Sequence, residues 1–311
     1  MITTVTLNAS IDKMYKLTCE FETGTVMRVA EVSNSAGGKG LNSARAIATC
    51  GEDVCATGFI GGNNGKTVYE LAEADGLACD FVTVATETRC CINAIDAAGV
   101  STELLEPGQP VSEAEVAAME AKMAELAKKS DVVTISGSAP AGCPDNIYRR
   151  LVAAVKDAGK PVILDTSGKL LLGSLAAAPT MIKPNTDEIQ VILGHKPKGV
   201  EEVAAAAQQV REQHGIEYVV VSLGGDGSVM AAADGTYRVT PAKIECLNPV
   251  GSGDTMVGAF AVAMKRGMGC EDMLRFASAC ATANCLSPYT GRFDMSVAEG
   301  LMAQTQVDKI A

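Results

Sequence analysis

Val132-Val133-Thr134-Ile135-Ser136-Gly137 is an apolar run of β-formers that stops at a glycine and shows no alternation of apolar and polar side chains. A strand of this kind has no solvent face, so it belongs inside a sheet covered on both sides. Pro161-Val162-Ile163-Leu164 repeats the pattern and stops at Asp165; Tyr218-Val219-Val220-Val221 repeats it again and stops at Ser222. Between the runs the period changes to that of a helix. Ser112-Glu113-Ala114-Glu115 has the spacing of a capping box, and Val116, Met119, Met123 and Leu126 follow on one helical face. Asp145 to Ala158 is a second such stretch, with Ile147, Leu151 and Val155 inward and Gly159 as its stop. Repeated strand–helix–strand units predict an α/β fold, a doubly wound and mostly parallel sheet with helices on both faces.

Two segments break this rhythm. Residues 10–33 are strand-like with polar interruptions, and residues 82–107 alternate through Thr88 to Ile95, an Ala97-Ala98-Gly99 turn and Thr102 to Leu105. They predict a small antiparallel β lid set on an α/β core made of residues 1–9, 34–81 and 108–311.

The 311 residues are 47% hydrophobic and 20% charged, which suits a packed core and not a disordered chain. A formal net charge of -11 argues against nucleic acid or an anionic membrane as partner, although a local group of cations and backbone N–H groups can still hold a phosphorylated small molecule. Met1 runs straight into a strand-like segment with no charged leader, and no apolar run approaches the roughly 20 residues of a membrane span. The eleven cysteines include no C-x-x-C pair, and His195 and His214 are the only histidines. These features point to reduced thiols in a cytoplasmic protein and away from a zinc site.

Asn248-Pro249-Val250-Gly251-Ser252-Gly253-Asp254-Thr255-Met256-Val257-Gly258 is the strongest local signal for chemistry. Its glycines allow a tight turn with exposed N–H groups, and the apolar helix that follows (Met256, Phe260, Met264) puts that turn at a helix N-terminus, where anions are favoured. Asp254 is there either a plain cap or a positioned carboxylate. Ser35-Ala36-Gly37-Gly38-Lys39-Gly40-Leu41-Asn42 is a second glycine cluster before a helix; Lys39 can pair with phosphate and Asn42 can hydrogen-bond sugar hydroxyls. Two motifs fail on spacing. Gly61 to Thr67 resembles a Walker A loop but has three residues between its glycines instead of four, and Gly251-Ser252-Gly253 lacks the third glycine of a dinucleotide fingerprint. The groups 136–140, 165–168, Lys183-Pro184-Asn185-Thr186-Asp187-Glu188 and Ser222-Leu223-Gly224-Gly225-Asp226-Gly227 all follow strand-like runs. Ligands of open parallel sheets bind beyond the carboxyl ends of the strands, so all four fall at one edge.

With Thr6-Leu7-Asn8-Ala9-Ser10-Ile11-Asp12, Ala36 to Asn42, Lys183-Pro184-Asn185-x-x-Glu188 and Val250 to Asp254 in order, the chain resembles the ribokinase-like (PfkB-type) sugar kinases over nearly its whole length. Lys39, Thr88-Arg89 with Ile92, Ile135-Ser136-Gly137-Ser138 and Asn248-Pro249-Val250 resemble the tagatose-6-phosphate kinase and 1-phosphofructokinase branch; Leu104 to Gly108 and Thr290-Gly291-Arg292 lean towards its tagatose-6-phosphate form. Asn8-Ala9-Ser10 in place of Asn-Pro, and Ala139 in place of Leu, depart from that pattern.

The resemblance implies ATP-dependent phosphorylation of a ketohexose monophosphate, with tagatose 6-phosphate favoured. Fructose 1-phosphate, a plain sugar or nucleoside, and a non-catalytic sensor are the alternatives. It implies Asp254 as catalytic base, with Gly251, Ser252 and Gly253 forming the anion hole. Asp12, Gly37, Gly38 and Asn42, with Ser136, would hold the sugar, and Arg28, Lys39 and Arg89 its phosphate. Lys183, Asn185, Ser222, Gly224 and Gly227 would line the nucleotide, with Glu188 helping Mg²⁺ through water. A monovalent cation such as K⁺ would lie near Asn248, Val250, Asn284 and Gly291. Lids of this family imply a homodimer, since an apolar lid face needs cover.

Overall fold

The computed structural model describes all residues from Met1 to Ala311. In chain order the strands are β1 (Ile2–Thr6), β2 (Ser10–Leu17), β3 (Val29–Gly37), β4 (Val54–Gly61), β5 (Ala78–Cys79), β6 (Val82–Val84), β7 (Arg89–Ile95), β8 (Ser101–Leu105), β9 (Val132–Ser136), β10 (Val162–Asp165), β11 (Met181–Ile182), β12 (Tyr218–Ser222), β13 (Ser228–Ala232), β14 (Gly235–Thr240) and β15 (Gln306–Lys309). The helices are α1 (Lys39–Thr49), α2 (Gly62–Ala74), α3 (Glu113–Lys129), α4 (Ile147–Asp157), α5 (Gly168–Ser174), α6 (Thr186–Leu193), α7 (Gly199–His214), α8 (Ser252–Lys265), α9 (Cys270–Cys285) and α10 (Met295–Met302).

The large sheet runs β15-β14-β13-β12-β11-β10-β9-β1-β4-β5, with β6 also on β4. Every pair from β12 through β11, β10, β9 and β1 to β4 is parallel, and β13 to β15 close one edge antiparallel. The uninterrupted apolar runs have the expected consequence. Val132 faces one core and Val133 the other, as do Ile163 and Leu164, and Val220 and Val221. The first core is filled by α1, α8 and α9 through Leu41, Ile47, Phe260 and Leu274, the second by α3, α4 and α7 through Met119, Leu151 and Val210. The Ser112–Glu115 capping box forms and starts α3.

The lid is a separate sheet in the order β3-β2-β7-β8. It corrects the expected all-antiparallel lid, because β2 and β7 run parallel, from Ser10 opposite Arg89 to Lys16 opposite Ile95. The reason is topological. β2 continues from β1, and β7 follows β6, which is parallel to β4 and so to β1; both lid strands leave the large sheet in one direction. The ends also differ from the expected segments: Val82–Val84 pairs with β4 in the large sheet, and β3 continues to Gly37. Val32, Leu104 and Leu105 of the lid are exposed. No helix is long and apolar enough to cross a membrane. All eleven cysteines are unpaired, Cys19 and Cys246 being exposed rather than in the core.

Helices α1 and α8 bring the two glycine clusters together, and their closeness depends on Gly258. A Cβ there would lie 2.7 Å from the Ser43 carbonyl oxygen and 3.1 Å from Ala46 Cβ. Gly258→Val should therefore force the helices apart, costing about 1–3 kcal/mol of stability and lowering kcat with it. Urea denaturation with a parallel assay checks this; an unchanged midpoint would show that the crossing is not tight.

Candidate active site

Gly251 caps α8 with φ 76°, in the left-handed region that favours glycine, and a Cβ on it would lie 2.2 Å from Thr290 Cγ2. The turn leaves the N–H groups of Gly251, Gly253 and Asp254 with no acceptor in the chain; that of Ser252 reaches Pro249 O at 3.3 Å. Free N–H groups and a helix dipole favour an anion at such a turn. Asp254 lies within it, 8% exposed. Its Oδ2 accepts from Asn42 Nδ2 at 2.7 Å, and its carbonyl oxygen accepts from Ser43 Oγ at 2.8 Å. Burial, followed by the nearby Asp165 carboxylate, pushes the Asp254 carboxyl up to about 6, against the pull of Lys39, Asn42 and Lys183.

Asp165 closes β10 at 2% exposure between two cations, its Oδ2 3.3 Å from Lys39 Nζ and its Oδ1 3.4 Å from Lys183 Nζ. Burial alone would raise its carboxyl, but the two lysines outweigh it and hold it below the usual carboxylate range. In return Asp165 is the main cause that raises Lys39, with Asp254 and Glu188 adding to it. Lys183 Nζ points at the α8 turn, 3.5 Å from where a Gly253 Cβ would be. Two cations and two carboxylates thus meet at the start of α8.

On the lid side, Asp12 Oδ1 accepts from Ser10 Oγ at 2.6 Å, and Gly37 exists because a Cβ there would lie 2.0 Å from the same oxygen. Gly38, at φ 112°, passes close over Thr6. Burial raises the Asp12 carboxyl, while Ser10, Arg45 and Arg89 oppose the rise. Arg89 sits at the junction of lid and core, donating from Nε and Nη2 to Asn8 O at 3.2 and 3.0 Å and from Nη1 to Glu106 O at 2.8 Å. Ser136 ends β9 at 1% exposure with its Oγ unpartnered.

The expected grouping of Arg28, Lys39 and Arg89 does not assemble within one chain. Arg28 is exposed and precedes Val29, which pairs with Leu17 at the far end of the lid, whereas Gly37 pairs with Ser10 at the near end. The strand between spans roughly 25 Å at about 3.3 Å per residue. Lys39 lies on the Asp254 side, and of the three Arg89 is the one beside Asp12.

At the edge beyond β11 and β12, Asn185 caps α6, its Oδ1 accepting from the N–H groups of Asp187 and Glu188, while Glu188 Oε2 accepts from Asn185 N at 2.9 Å. The N-x-x-E motif is therefore a capping box, with Asn185 bridged to Ser222. Gly224 (φ 62°) and Gly227 (φ 94°) bound the turn after Ser222. Asn284 is fully buried: its Nδ2 donates to Val250 O, and its Oδ1 accepts from Thr255 Oγ1 and Gly291 N. Asn248 Oδ1 accepts from Val250 N. These four residues do come together, but the Asn284 side chain is committed to the protein. The rejected Walker-like loop is also explained, because Glu87 Oε1 accepts from Asn64 N at the start of α2 and the Glu87 carboxylate closes over Gly62.

Residues 5–296 match the model of the pfkB family carbohydrate kinases. The chain belongs to that family. It is 36% identical, over all of both chains, to a tagatose-6-phosphate kinase of Staphylococcus epidermidis. Phosphofructokinase-2 from Escherichia coli, solved in complex with potassium, superimposes with a TM-score of 0.93 at 28% identity, covering 97% of this chain and 98% of that one. A Thermotoga maritima protein described as a possible 1-phosphofructokinase superimposes with a TM-score of 0.90 at 26% identity over the whole of both chains.

Two residues around Asp254 receive no role in the sequence reading. Asp165 left a signal, as the carboxylate that stops a strand buried on both faces and opens the 165–168 group at the ligand edge. Arg45 left none, since it lies in Ala44-Arg45-Ala46-Ile47 on the apolar face of α1, yet it is 4% exposed and its Nη2 donates to Asn42 Oδ1.

If Asp254 is the base, kcat/KM should fall as pH drops through about 6. Asp254→Asn should lose about 10²–10⁴-fold in kcat. The same variant should melt higher than wild type at pH 7.5. The raised carboxyl means that the folded state holds the extra proton between 3.8 and about 6, so stability declines as pH rises through that window and the ionised, buried form is a standing cost above it. The Tm difference should shrink towards the lower end of the window; an active variant, or one no more stable at pH 7.5, contradicts the assignment.

Proposed function

We propose that this sugar-phosphate kinase transfers the γ-phosphoryl group of ATP to the free primary hydroxyl of a ketohexose monophosphate, with tagatose 6-phosphate as the favoured acceptor and a ketohexose bisphosphate as product. The observation that carries the reading is the Asp254 carboxylate, buried at the head of a helix where the N–H groups of Gly251, Gly253 and Asp254 have no partner. Asp254 takes the acceptor's hydroxyl proton. The N–H groups from Gly251 to Asp254, with the Lys183 ammonium beside Gly253, stabilise the charge on the transferring phosphoryl. Asp12 and Asn42 hold sugar hydroxyls over Gly37 and Gly38, and Ser136 supplies a further hydroxyl for the sugar. Ser222, Gly224 and Gly227 flank the nucleotide, and Asn185 fixes the edge between Ser222 and α6.

Mg²⁺ fits the site only with help from the nucleotide. No three His, Cys, Asp or Glu side chains converge to hold a metal, and both Asp165 oxygens face lysines. Glu188, one oxygen of which is not used by the capping box, would hold the ion through water. When bound, the ion supplies neutralisation of the phosphate charge. A potassium ion would find uncommitted carbonyl oxygens at Asn248 and Gly291, not the Asn284 amide. The exposed Val32, Leu104 and Leu105 support a homodimer through the lids. Eleven unpaired thiols suit a cytoplasmic location.

Arg89 remains the cation for the substrate's own phosphate, and Lys39 bridges towards the transferring one. Arg89→Ala should raise KM for the sugar phosphate by about 10–100-fold, the worth of a charged hydrogen bond, and leave KM for ATP nearly unchanged. A raised KM for ATP alone would place Arg89 at the wrong ligand. In a panel of tagatose 6-phosphate, fructose 1-phosphate, fructose 6-phosphate and free fructose, kcat/KM should be highest for a phosphorylated ketohexose. Free fructose should trail by about 10⁴-fold or more, because a site built for a polar group rejects an analogue that lacks it. Preference for fructose 1-phosphate would reassign the acceptor within the same chemistry; preference for free fructose would overturn the phosphate site.

A further inference from the structure

Arg45 is the most connected buried cation in the molecule. Nη1 donates to Ala36 O at 2.7 Å and to Asp75 Oδ2 at 3.2 Å, Nε donates to Thr290 O at 3.1 Å, and Nη2 donates to Asn42 Oδ1. Three of the four acceptors lead to different parts of the site. Ala36 precedes Gly37, the glycine that packs on Asp12. Thr290 packs on Gly251, the cap of the anion turn. Asn42 donates to Asp254. Asp75 ends α2 and is also paired with Arg292, which shares in neutralising it.

An amide has one donor end and one acceptor end. With Oδ1 held by Arg45, Nδ2 is the end that faces Asp254. Turned over, the same side chain would set a carbonyl oxygen against a carboxylate, so the direction of the hydrogen bond to the base depends on a residue that does not touch it. We propose that Arg45 is a positioning residue for phosphoryl transfer: it holds the Asn42 amide in the orientation that donates to Asp254 and ties this pair to the sugar-side strand and to the anion turn. A single ammonium could not serve four acceptors, which is why the planar, forked guanidinium is needed. The proposal rests on Asp254 as the base.

The test is a double-mutant cycle between Arg45→Met and Asn42→Leu, read at saturating substrates and across pH. Each single variant should lose about 10–100-fold in kcat, the worth of one hydrogen bond to a charged group. Because Arg45 acts through Asn42, the double variant should be within about threefold of Asn42→Leu, where independent effects would multiply. The acid limb of kcat/KM should move to higher pH in Arg45→Met. The charged groups facing Asp254 from the other elements, Lys39, Asp165 and Lys183, are unchanged in that variant. Arg45 also faces Asp12, together with Arg89, so kcat, which excludes free-enzyme binding, is followed as well. Multiplicative losses with an unmoved acid limb would make Arg45 a mere cross-link and overturn the proposal. Should Arg45→Met not fold, Arg45→Lys keeps the charge that faces Asp75 and runs the same cycle with the same criteria. Asp254→Asn separates the two readings. If it is active, the base assignment itself fails; if it is inactive while the cycle is multiplicative, only the role of Arg45 fails.

Discussion

The structure turns on keeping a carboxylate, Asp254, inside protein and next to another, Asp165. Two such charges in one desolvated place are mutually repulsive, and the arrangement survives because Lys39 and Lys183 stand with them and Asn42 donates into Asp254. These groups arrive from four elements: Asp165 from the end of β10, Lys183 from just past β11, Lys39 and Asn42 from the start of α1, and Asp254 from the start of α8. The parallel order of β12, β11, β10, β9 and β1 puts those strand ends on one edge, and the glycine contact between α1 and α8 brings the two helix starts over it. The fold is in this sense a frame for one charge cluster.

The balance leaves Asp254 able to exchange its proton near neutrality, while Asp165 stays ionised between its lysines. In the proposed mechanism two carboxylates of the same type would take separate roles, an acceptor of the hydroxyl proton and a fixed counter-charge, through surroundings alone. The glycines complete the arrangement by absence. Gly37 makes room for Asp12, and Gly251 bends the chain so that its N–H groups point outward.

Much of this is legible in the sequence. Strands such as Val132 to Ile135 declare burial on both faces, and that alone selects a parallel sheet; Ser112 to Glu115 declares the start of α3. The Asp254 turn and the Gly37 cluster were readable because close backbone approach demands glycine. The lid is legible in outline only, because alternation reports which face a side chain takes and says nothing of strand direction, so the parallel pairing of β2 with β7 appears only in the fold. The resemblance groups Arg28 with Lys39 and Arg89 as cations for one phosphate; charge type carries no distance, and β3 puts Arg28 at the far end of the lid. The Asn185–Glu188 pair could have been read as a capping box from its spacing. Arg45 could not, because a cation on an apolar helix face is ordinarily a solvated exception, and only the fold supplies its four acceptors.

The most direct measurement is a ¹³C NMR titration of the aspartate side-chain carboxyls in the unliganded enzyme, with the Asp254 resonance assigned by its loss in Asp254→Asn. The account requires this one carboxyl to titrate near pH 6, well above the ordinary 3.8, and the Asp165 carboxyl to remain ionised below the usual range. An Asp254 that titrates at the ordinary value, or an Asp165 that takes up the proton in its place, would contradict the claim that burial beside this cluster sets Asp254 as the base.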